Sequence, residues 1–394
     1  MTMLFEIKKN KSVLLVLVLA VLLCAANFSL IAANYGIYRD PLKLVSEVAR
    51  GAGTCEITEA FKQSYYEIIV VPELKQIQKE TGKSLGTLTG VKEGTLTYDR
   101  YQDVRNAVMD LAVSPMFFDM DANVKALTER AASVLSGFES KIYSQSGKQY
   151  FPDDESTGFA GGFAVLKGIV FLECSILTLL VFALCALGES KAHQDTFGIL
   201  FSTLRGKKVF TAKLLEAFIF SFACALIVII GTSLVHFCYF DYSPFVNASL
   251  DGPFFFPGTD DPSLLIPGIT FLQYYLLTVL FLMLSLAFVF CVYGIVFVLT
   301  GAKPVCIFIA AAILAAVFLL AGWLGTLETD THIKEIFPFM YFVAGNSFLL
   351  KATAPESTPM TGETVIMSVF AVYVVVSAAG LGVCLGRARR KKRA

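Results

Sequence analysis

The feature that most constrains this chain is a set of six apolar runs, each long enough to cross a lipid bilayer as a helix. A spanning helix needs about 20 mostly apolar residues. Of the 394 residues, 56% are hydrophobic and 16% are charged, both of which depart from a soluble domain towards a membrane protein. The sequence therefore predicts an all-α polytopic membrane protein with six transmembrane helices. The runs cover residues 12–34, 162–188, 209–238, 270–299, 304–325 and 364–386.

The first apolar run admits two interpretations. Three lysines precede it, which is the arrangement of a secretory signal peptide. However, the apolar stretch continues to Ile31, which is longer than the apolar region of an ordinary signal peptide. We therefore expect an uncleaved first span.

The distribution of basic residues predicts the orientation. Lys and Arg cluster before the first span, in the 189–213 connection and in the C-terminal tail, whereas the 239–268 connection has four Asp and no basic residue. Cytoplasmic connections are the ones enriched in Lys and Arg, so both termini are predicted to be cytoplasmic in the cell membrane. The tail directly follows the last span and is expected to anchor the chain to anionic lipids rather than to bind nucleic acid. Its basic residues are Arg387, Arg389, Arg390, Lys391, Lys392 and Arg393.

Residues 35–161 form a separate unit that this topology places outside the cell. Apolar positions within 124–142 keep helical spacing, and so do those within 57–68. Pro72 should end or kink the second of these helices. The Gly- and Thr-rich segment 82–101 predicts a loop or a short hairpin. We expect a mainly helical extracellular domain inserted between spans one and two.

The connection between spans two and three carries a short amphipathic segment. Its apolar positions are Phe197, Leu200, Phe201 and Leu204, at i, i+3, i+4 and i+7, which is one face of a helix. Residues 194–205 are therefore predicted to form a short helix, after which 205–208 turn the chain back into the membrane. Two roles fit the spacing equally: the helix lies among lipid headgroups, or it inserts into a groove on a soluble partner.

Motifs for chemistry within this chain are absent from the sequence. There is no phosphate-binding loop of the Gly-x-x-x-x-Gly-Lys-Ser/Thr type, no metal-ligand spacing and no nucleophile elbow. The chain is therefore not expected to be an enzyme or to bind a cofactor or metal itself.

Charged residues inside the predicted spans are better leads, because a charge in hydrocarbon is costly. Glu173 in span two and Glu216 in span three are candidates for a substrate path. The alternative is that Glu173 makes a helix–helix contact and that Glu216 reaches the membrane interface.

The connection that contains the amphipathic segment resembles the cytoplasmic segment of ABC-2-type permeases, the membrane subunits of type V ATP-binding-cassette exporters. In that family, a Glu at the end of span two precedes a Gly/Thr turn, a Leu-Leu-Ser-Thr-Pro helix, a basic residue and a Lys-Leu-Leu that opens span three. Here the Gly-Thr is replaced by Thr196-Phe197-Gly198, and the Pro by Leu204. The matching residues are Glu189, Gly198, Leu200, Phe201, Ser202, Thr203, Arg205, Lys213, Leu214 and Leu215.

The resemblance extends to the architecture of the membrane part. The N-terminus is similar to the family's amphipathic lead-in to span one, and residues 333–350 are similar to its outer re-entrant helices. The expected organisation is a lead-in and span one (1–34), the extracellular domain (35–161), and spans two to six with the basic tail (162–394).

The resemblance implies that residues 194–205 are a coupling helix, seated in a cleft of a separate ATPase subunit that binds ATP and Mg. It also implies a second permease copy and the efflux of a peptide, lipid or other amphipathic substrate. Three alternatives remain: a mechanotransmitting permease, a sensor acting through its extracellular domain, and a polytopic membrane enzyme. The residues implied in ATPase coupling are Glu189, Thr196, Phe197, Gly198, Leu200, Phe201, Leu204 and Arg205.

Overall fold

Helices form most of the part of the chain that the structure, a computed structural model, describes, and no β-strand occurs in that part. The described residues are 11–90, 96–114, 117, 120–150, 152, 159–185, 204–249, 270–300, 307–316, 319, 372 and 374–383. The main helices are α1 (Lys11–Tyr35), α2 (Arg39–Ala52), α3 (Glu59–Tyr65), α4 (Val71–Thr81), α5 (Leu85–Thr89), α6 (Tyr101–Val113), α7 (Ala122–Phe138), α8 (Phe159–Cys185), α9 (Leu204–Tyr239) and α10 (Phe271–Thr300).

In the described part of the chain, three helices are long and apolar enough to cross a membrane. The segments that meet this criterion are Leu15–Asn34 in α1, Leu214–Tyr239 in α9 and Phe271–Leu299 in α10. They correspond to the first, third and fourth predicted spans. The prediction of helices of membrane-spanning length is thus confirmed for these three runs.

The other three predicted spans contain shorter apolar helices within the described residues. These are Ile169–Leu184 in α8, Ile307–Ala316 and Val374–Val383. The last of them packs against α10, where a Cβ at Gly294 would lie 2.9 Å from Leu381. The total of six spans stays a prediction.

Helix α9 packs against α1, α8 and α10, and α8 in turn packs against α1 and α10. The contact between α1 and α9 is close at Gly231, where a Cβ would lie 2.7 Å from the Sγ of Cys24. Helices in lipid associate through such small residues, because these allow the two backbones to approach. The bundle therefore brings residues of α1, α8 and α9 together around a shared interior.

Residues 36–152, here called the helical insert, contain α2 to α7. Helix α2 packs on α3, and α7 packs on both α4 and α6. Their shared core is aromatic: Tyr66, Tyr101 and Phe138 are buried, with ring centroids 4.9–5.6 Å apart. Burial of these rings stabilises the insert because it removes apolar surface from water and because it forms edge-to-face ring contacts. It also raises the pKa of Tyr66 to about 12.

Pro72 was expected to end or kink the helix before it; it does not end the helix, and the kink stays a prediction. A π-helical turn, Tyr66–Val70, joins α3 directly to α4, in which Pro72 lies in the first turn. The π-helical turn shifts the backbone hydrogen bonds just before Pro72, since the N–H of Val71 donates to the carbonyl of Tyr66, five residues earlier. The segment therefore stays helical to Thr81. The helix is capped by Gly82, whose φ of +65° lies in the left-handed region.

The predicted helix over 124–142 is confirmed by α7 and the π-helical turn Glu139–Tyr143 that follows it. The segment 82–101 was predicted to be a loop or a short hairpin. In the structure it includes the short helix α5 and a 3₁₀ turn, Tyr98–Arg100. The six apolar positions that keep helical spacing in this segment are all buried. They are Val124, Leu127, Ala131, Leu135, Phe138 and Ile142.

Candidate functional site in the membrane-spanning helices

Most of the predicted coupling residues lie outside the described part of the chain, as do the basic tail and the segment 333–350. Leu204 and Arg205 are exceptions, because they are the first two residues of α9. The coupling residues outside the described part are Glu189, Thr196, Phe197, Gly198, Leu200 and Phe201.

Helix α9 is much longer than a membrane span requires. Its 36 residues extend about 54 Å at 1.5 Å per residue, against about 30 Å for the hydrocarbon core. Its first ten residues, 204–213, include the basic residues Arg205, Lys207, Lys208 and Lys213 and are here called the basic extension. The predicted turn at 205–208 is therefore wrong. Gly206 makes the helix about 1 kcal/mol less stable than Ala would. Its neighbours Arg205, Lys207 and Lys208 have high helix propensity, so the segment still forms a helix.

A buried polar cluster links three of the apolar helices. Asn27 of α1 donates one hydrogen bond through Nδ2 to Oε2 of Glu173 in α8, at 2.7 Å, and another to Oγ1 of Thr232 in α9, at 3.2 Å. Asn27 is 2% exposed and Thr232 1%. Polar groups away from water must find partners, so these contacts set the relative positions of the three helices.

Glu173 lies at the edge of this cluster rather than inside it. Its side chain is half-buried, and among the described residues it forms no ion pair. Ile176 and Leu180 lie on the same face of α8 and are 43% and 38% exposed. The helix–helix contact anticipated as one alternative is present, and Glu173 as a residue is partly exposed.

Glu216 does not join this cluster. It is half-buried near the start of the apolar part of α9. Along the same helix it lies about 24 Å from Thr232, at 1.5 Å per residue. The two predicted intramembrane carboxylates, Glu173 and Glu216, are therefore at separate places.

A second set of polar contacts, here called the insert–α9 joint, connects the helical insert to the residues that follow α9. Arg50 of α2 pairs with the carboxylate of Asp241, and the Oγ of Ser46 donates to the Asp241 backbone carbonyl at 2.5 Å. Burial raises the pKa of Asp241, but hydrogen bonds from Ser243 and Arg50 outweigh it and hold that pKa below its usual value. These contacts of the side chain therefore favour the ionised form of Asp241.

Further contacts extend the insert–α9 joint. The Sγ of Cys55 donates to the carbonyl of Pro244 at 3.0 Å, and burial raises the pKa of this thiol to about 11. The guanidinium of Arg39 lies 4.8 Å from the ring centroid of Tyr239, in cation–π geometry. Helix α9 therefore connects, as one element, the basic extension at its start to the helical insert at its end.

His236 lies one turn before this joint and is 1% exposed. Its ring is surrounded by Phe237, Phe240 and Tyr242, with centroids 4.9–5.9 Å away. Neither ring nitrogen has a hydrogen-bond partner among the described residues. In the same part of the chain, no group of three His, Cys, Asp or Glu side chains could hold a metal ion.

Sequence reasoning missed Asn27 and Thr232. An amide within the first apolar run was the one available signal for Asn27, and Thr232 gave none, because a hydroxyl residue in a span usually bonds to its own helix. Comparison of the chain with protein-family models, curated proteins and solved structures finds no match. The candidate site is therefore defined by the contacts within the chain itself.

Proposed function

We propose that this chain is the membrane permease subunit of an ATP-binding-cassette exporter, coupled to a separate cytoplasmic ATPase that binds ATP and Mg. The substrate is an amphipathic molecule such as a lipid or peptide. The observation that carries the proposal is the continuity of α9, whose basic extension holds Leu204 and Arg205 at the end of the proposed coupling helix. Because a helix is stiff along its axis, displacement of this extension moves the apolar part with it.

The packing of α9 supports this mechanism. Its contact with α1 at Gly231 and the hydrogen bonds of Asn27 couple a shift of α9 to α1 and α8. Packed helices switch between discrete arrangements rather than deforming continuously. A push at the start of α9 would thus rearrange the polar cluster at whose edge Glu173 lies. A second permease copy completes the proposed transporter in the cell membrane, with both termini of each chain cytoplasmic.

The test is purification of the tagged full chain in mild detergent from membranes of its own host. Wild type is compared with Leu200→Asp plus Phe201→Asp, which places two charges on the apolar face of the proposed coupling helix. Ser202→Asp plus Thr203→Asp is the matched control, because it adds the same charge on other faces. We expect an ATP-binding-cassette ATPase, identified by mass spectrometry, to co-purify with wild type and control only. Equal recovery with all three chains, or none with wild type, would refute coupling through this helix.

The insert–α9 joint favours one second candidate, a mechanotransmitting permease in which the helical insert is the moving output. Arg50 and Ser46 tie α2 to Asp241, so a displacement of α9 would also displace the insert. Hydrogen exchange of residues 39–52 in the complex with ATPase, with and without ATP and vanadate, tests this candidate. A nucleotide-dependent change that Arg50→Ala abolishes would support it. Identical exchange in both nucleotide states would argue against it.

A further inference from the structure

Glu173 offers a carboxylate that the described part of the chain uses only in part. Asn27 donates to Oε2, and no described basic side chain lies within ion-pairing distance. An ionised carboxylate at this depth is costly unless a counter-charge or further donors reach it. The free side of the Glu173 carboxylate is therefore a place where a cationic group would be stabilised.

A hydrogen bond from a buried amide orients this carboxylate. Asn27 and Thr232 are almost fully buried. The Asn27 amide donates to both Thr232 and Glu173 and so connects three helices. A side chain fixed by such neighbours loses little freedom when a ligand binds, which favours affinity. The arrangement has the character of a binding site rather than of a flexible surface charge.

Two partly exposed apolar side chains follow Glu173 along the same face of α8. Ile176 and Leu180 follow Glu173 at i+3 and i+7, on one helix face, and both are partly exposed. A ligand with its positive charge at Glu173 would lay its apolar body on these side chains. Charge and shape together fit a lipophilic cation.

We infer that Glu173, held by Asn27 and flanked by Ile176 and Leu180, binds the cationic group of an amphiphilic substrate. This inference deepens the proposed export function and rests on it for its physiological meaning. It names a substrate class, hydrophobic molecules that carry a positive charge, and it assigns Glu173 the role of charge selection.

The test measures binding to the purified full chain in nanodiscs of phosphatidylcholine, a lipid without net charge. The probes are radiolabelled tetraphenylphosphonium and tetraphenylborate, which have nearly the same shape and opposite charge. Equilibrium dialysis gives the affinities, with empty nanodiscs as the measure of lipid partition. Glu173→Gln keeps an oxygen that accepts from Asn27 and removes only the charge. Glu129→Gln, on the exposed surface of α7, is the control for net charge.

We expect wild type and Glu129→Gln to bind the phosphonium and to exclude the borate. Glu173→Gln should bind the phosphonium at least about tenfold more weakly, a difference of about 1.4 kcal/mol. Unchanged phosphonium affinity in Glu173→Gln, or equal affinity of wild type for both ions, would overturn the inference and leave Glu173 with a helix-packing role only. A thermal unfolding scan of each variant separates loss of charge from loss of fold.

This outcome is independent of the proposed function. Binding is measured without the ATPase, so a lost charge preference leaves the co-purification result untouched. Conversely, a charge preference without any associated ATPase would keep the site and discard the exporter.

Discussion

The hydrogen bonds of Asn27 predict a measurable coupling between helices that are distant in sequence. Replacing Asn27 by Leu keeps the approximate volume and removes both bonds, to Glu173 and to Thr232. Interhelical hydrogen bonds in membranes average about 0.6 kcal/mol each, with a maximum near 1.7. Leaving the Glu173 carboxylate without its donor adds about 1–3 kcal/mol. We therefore expect Asn27→Leu to cost about 2–4 kcal/mol.

The same substitution should cost far less when Glu173 is already Leu. Only the bond to Thr232 is then lost, so we expect about 0.6–1.7 kcal/mol. The assay is equilibrium unfolding of the full chain in mixed micelles, titrated with dodecyl sulfate and followed by far-UV circular dichroism. Ser29→Leu is the control, because the Ser29 hydroxyl donates within its own helix, to Ala25. If Asn27→Leu costs the same in both backgrounds, the bond to Glu173 makes no net contribution and the reasoning fails.

Three further predictions concern the ends of α9. Because the folded pKa of Asp241 is lowered, its stabilising contribution is present above the unfolded pKa of about 3.9 and is lost as the pH falls through the lower folded value. Thermal unfolding between pH 3 and 6 should therefore vary less with pH in Asp241→Asn, and equal pH profiles would contradict this. The raised pKa of Cys55 lowers its thiolate fraction at pH 8 about a hundredfold, so alkylation by iodoacetamide, followed by mass spectrometry, should be slow. Arg50→Ala should speed this alkylation by loosening the joint, and fast labelling of the wild type would show that the thiol is not protected. Thr211→Pro should break the extension of α9, at a cost of about 3 kcal/mol, and reduce ATPase stimulation in the proposed complex, because this position lies in the helix interior. Thr211→Ala is the control, and normal stimulation by the Pro variant would mean that helix continuity is not required.

Local patterns in the sequence were sufficient to predict the apolar helices α1, α9 and α10. The runs that form α1, α9 and α10 depend on length and hydropathy, which any window of the chain reveals. The α7 core was equally accessible, because its 3.6-residue period is local.

Other features depend on context that a local pattern does not contain. Pro72 was expected to end or kink a helix, but a π-helical turn before it joins α3 to α4 without an interruption. The basic residues at 205–208 suggested a turn, although Arg and Lys are good helix formers and one Gly is a small cost. In both cases helix propensity and neighbouring geometry outweighed the residue that signals a break.

The candidate site was the least accessible from sequence. Glu173 was identified because a charge in an apolar run is conspicuous. Its partners Asn27 and Thr232 were not, since Asn27 is 146 positions from Glu173 and 205 from Thr232. The pairing of Arg50 with Asp241 is likewise a product of the packing of the helical insert.

The continuity of α9 also fixes an angular relationship along the chain. Each residue of an α-helix advances the direction of the side chains by about 100°. One residue inserted between Lys208 and Lys213 would therefore turn the face that carries Leu204 by about a quarter of a circle relative to Thr232. Seven residues, close to two full turns, would nearly restore the direction while lengthening the helix by about 10 Å. In the proposed coupling mechanism, changes in the length of this extension are therefore tolerated only in steps of whole helical turns.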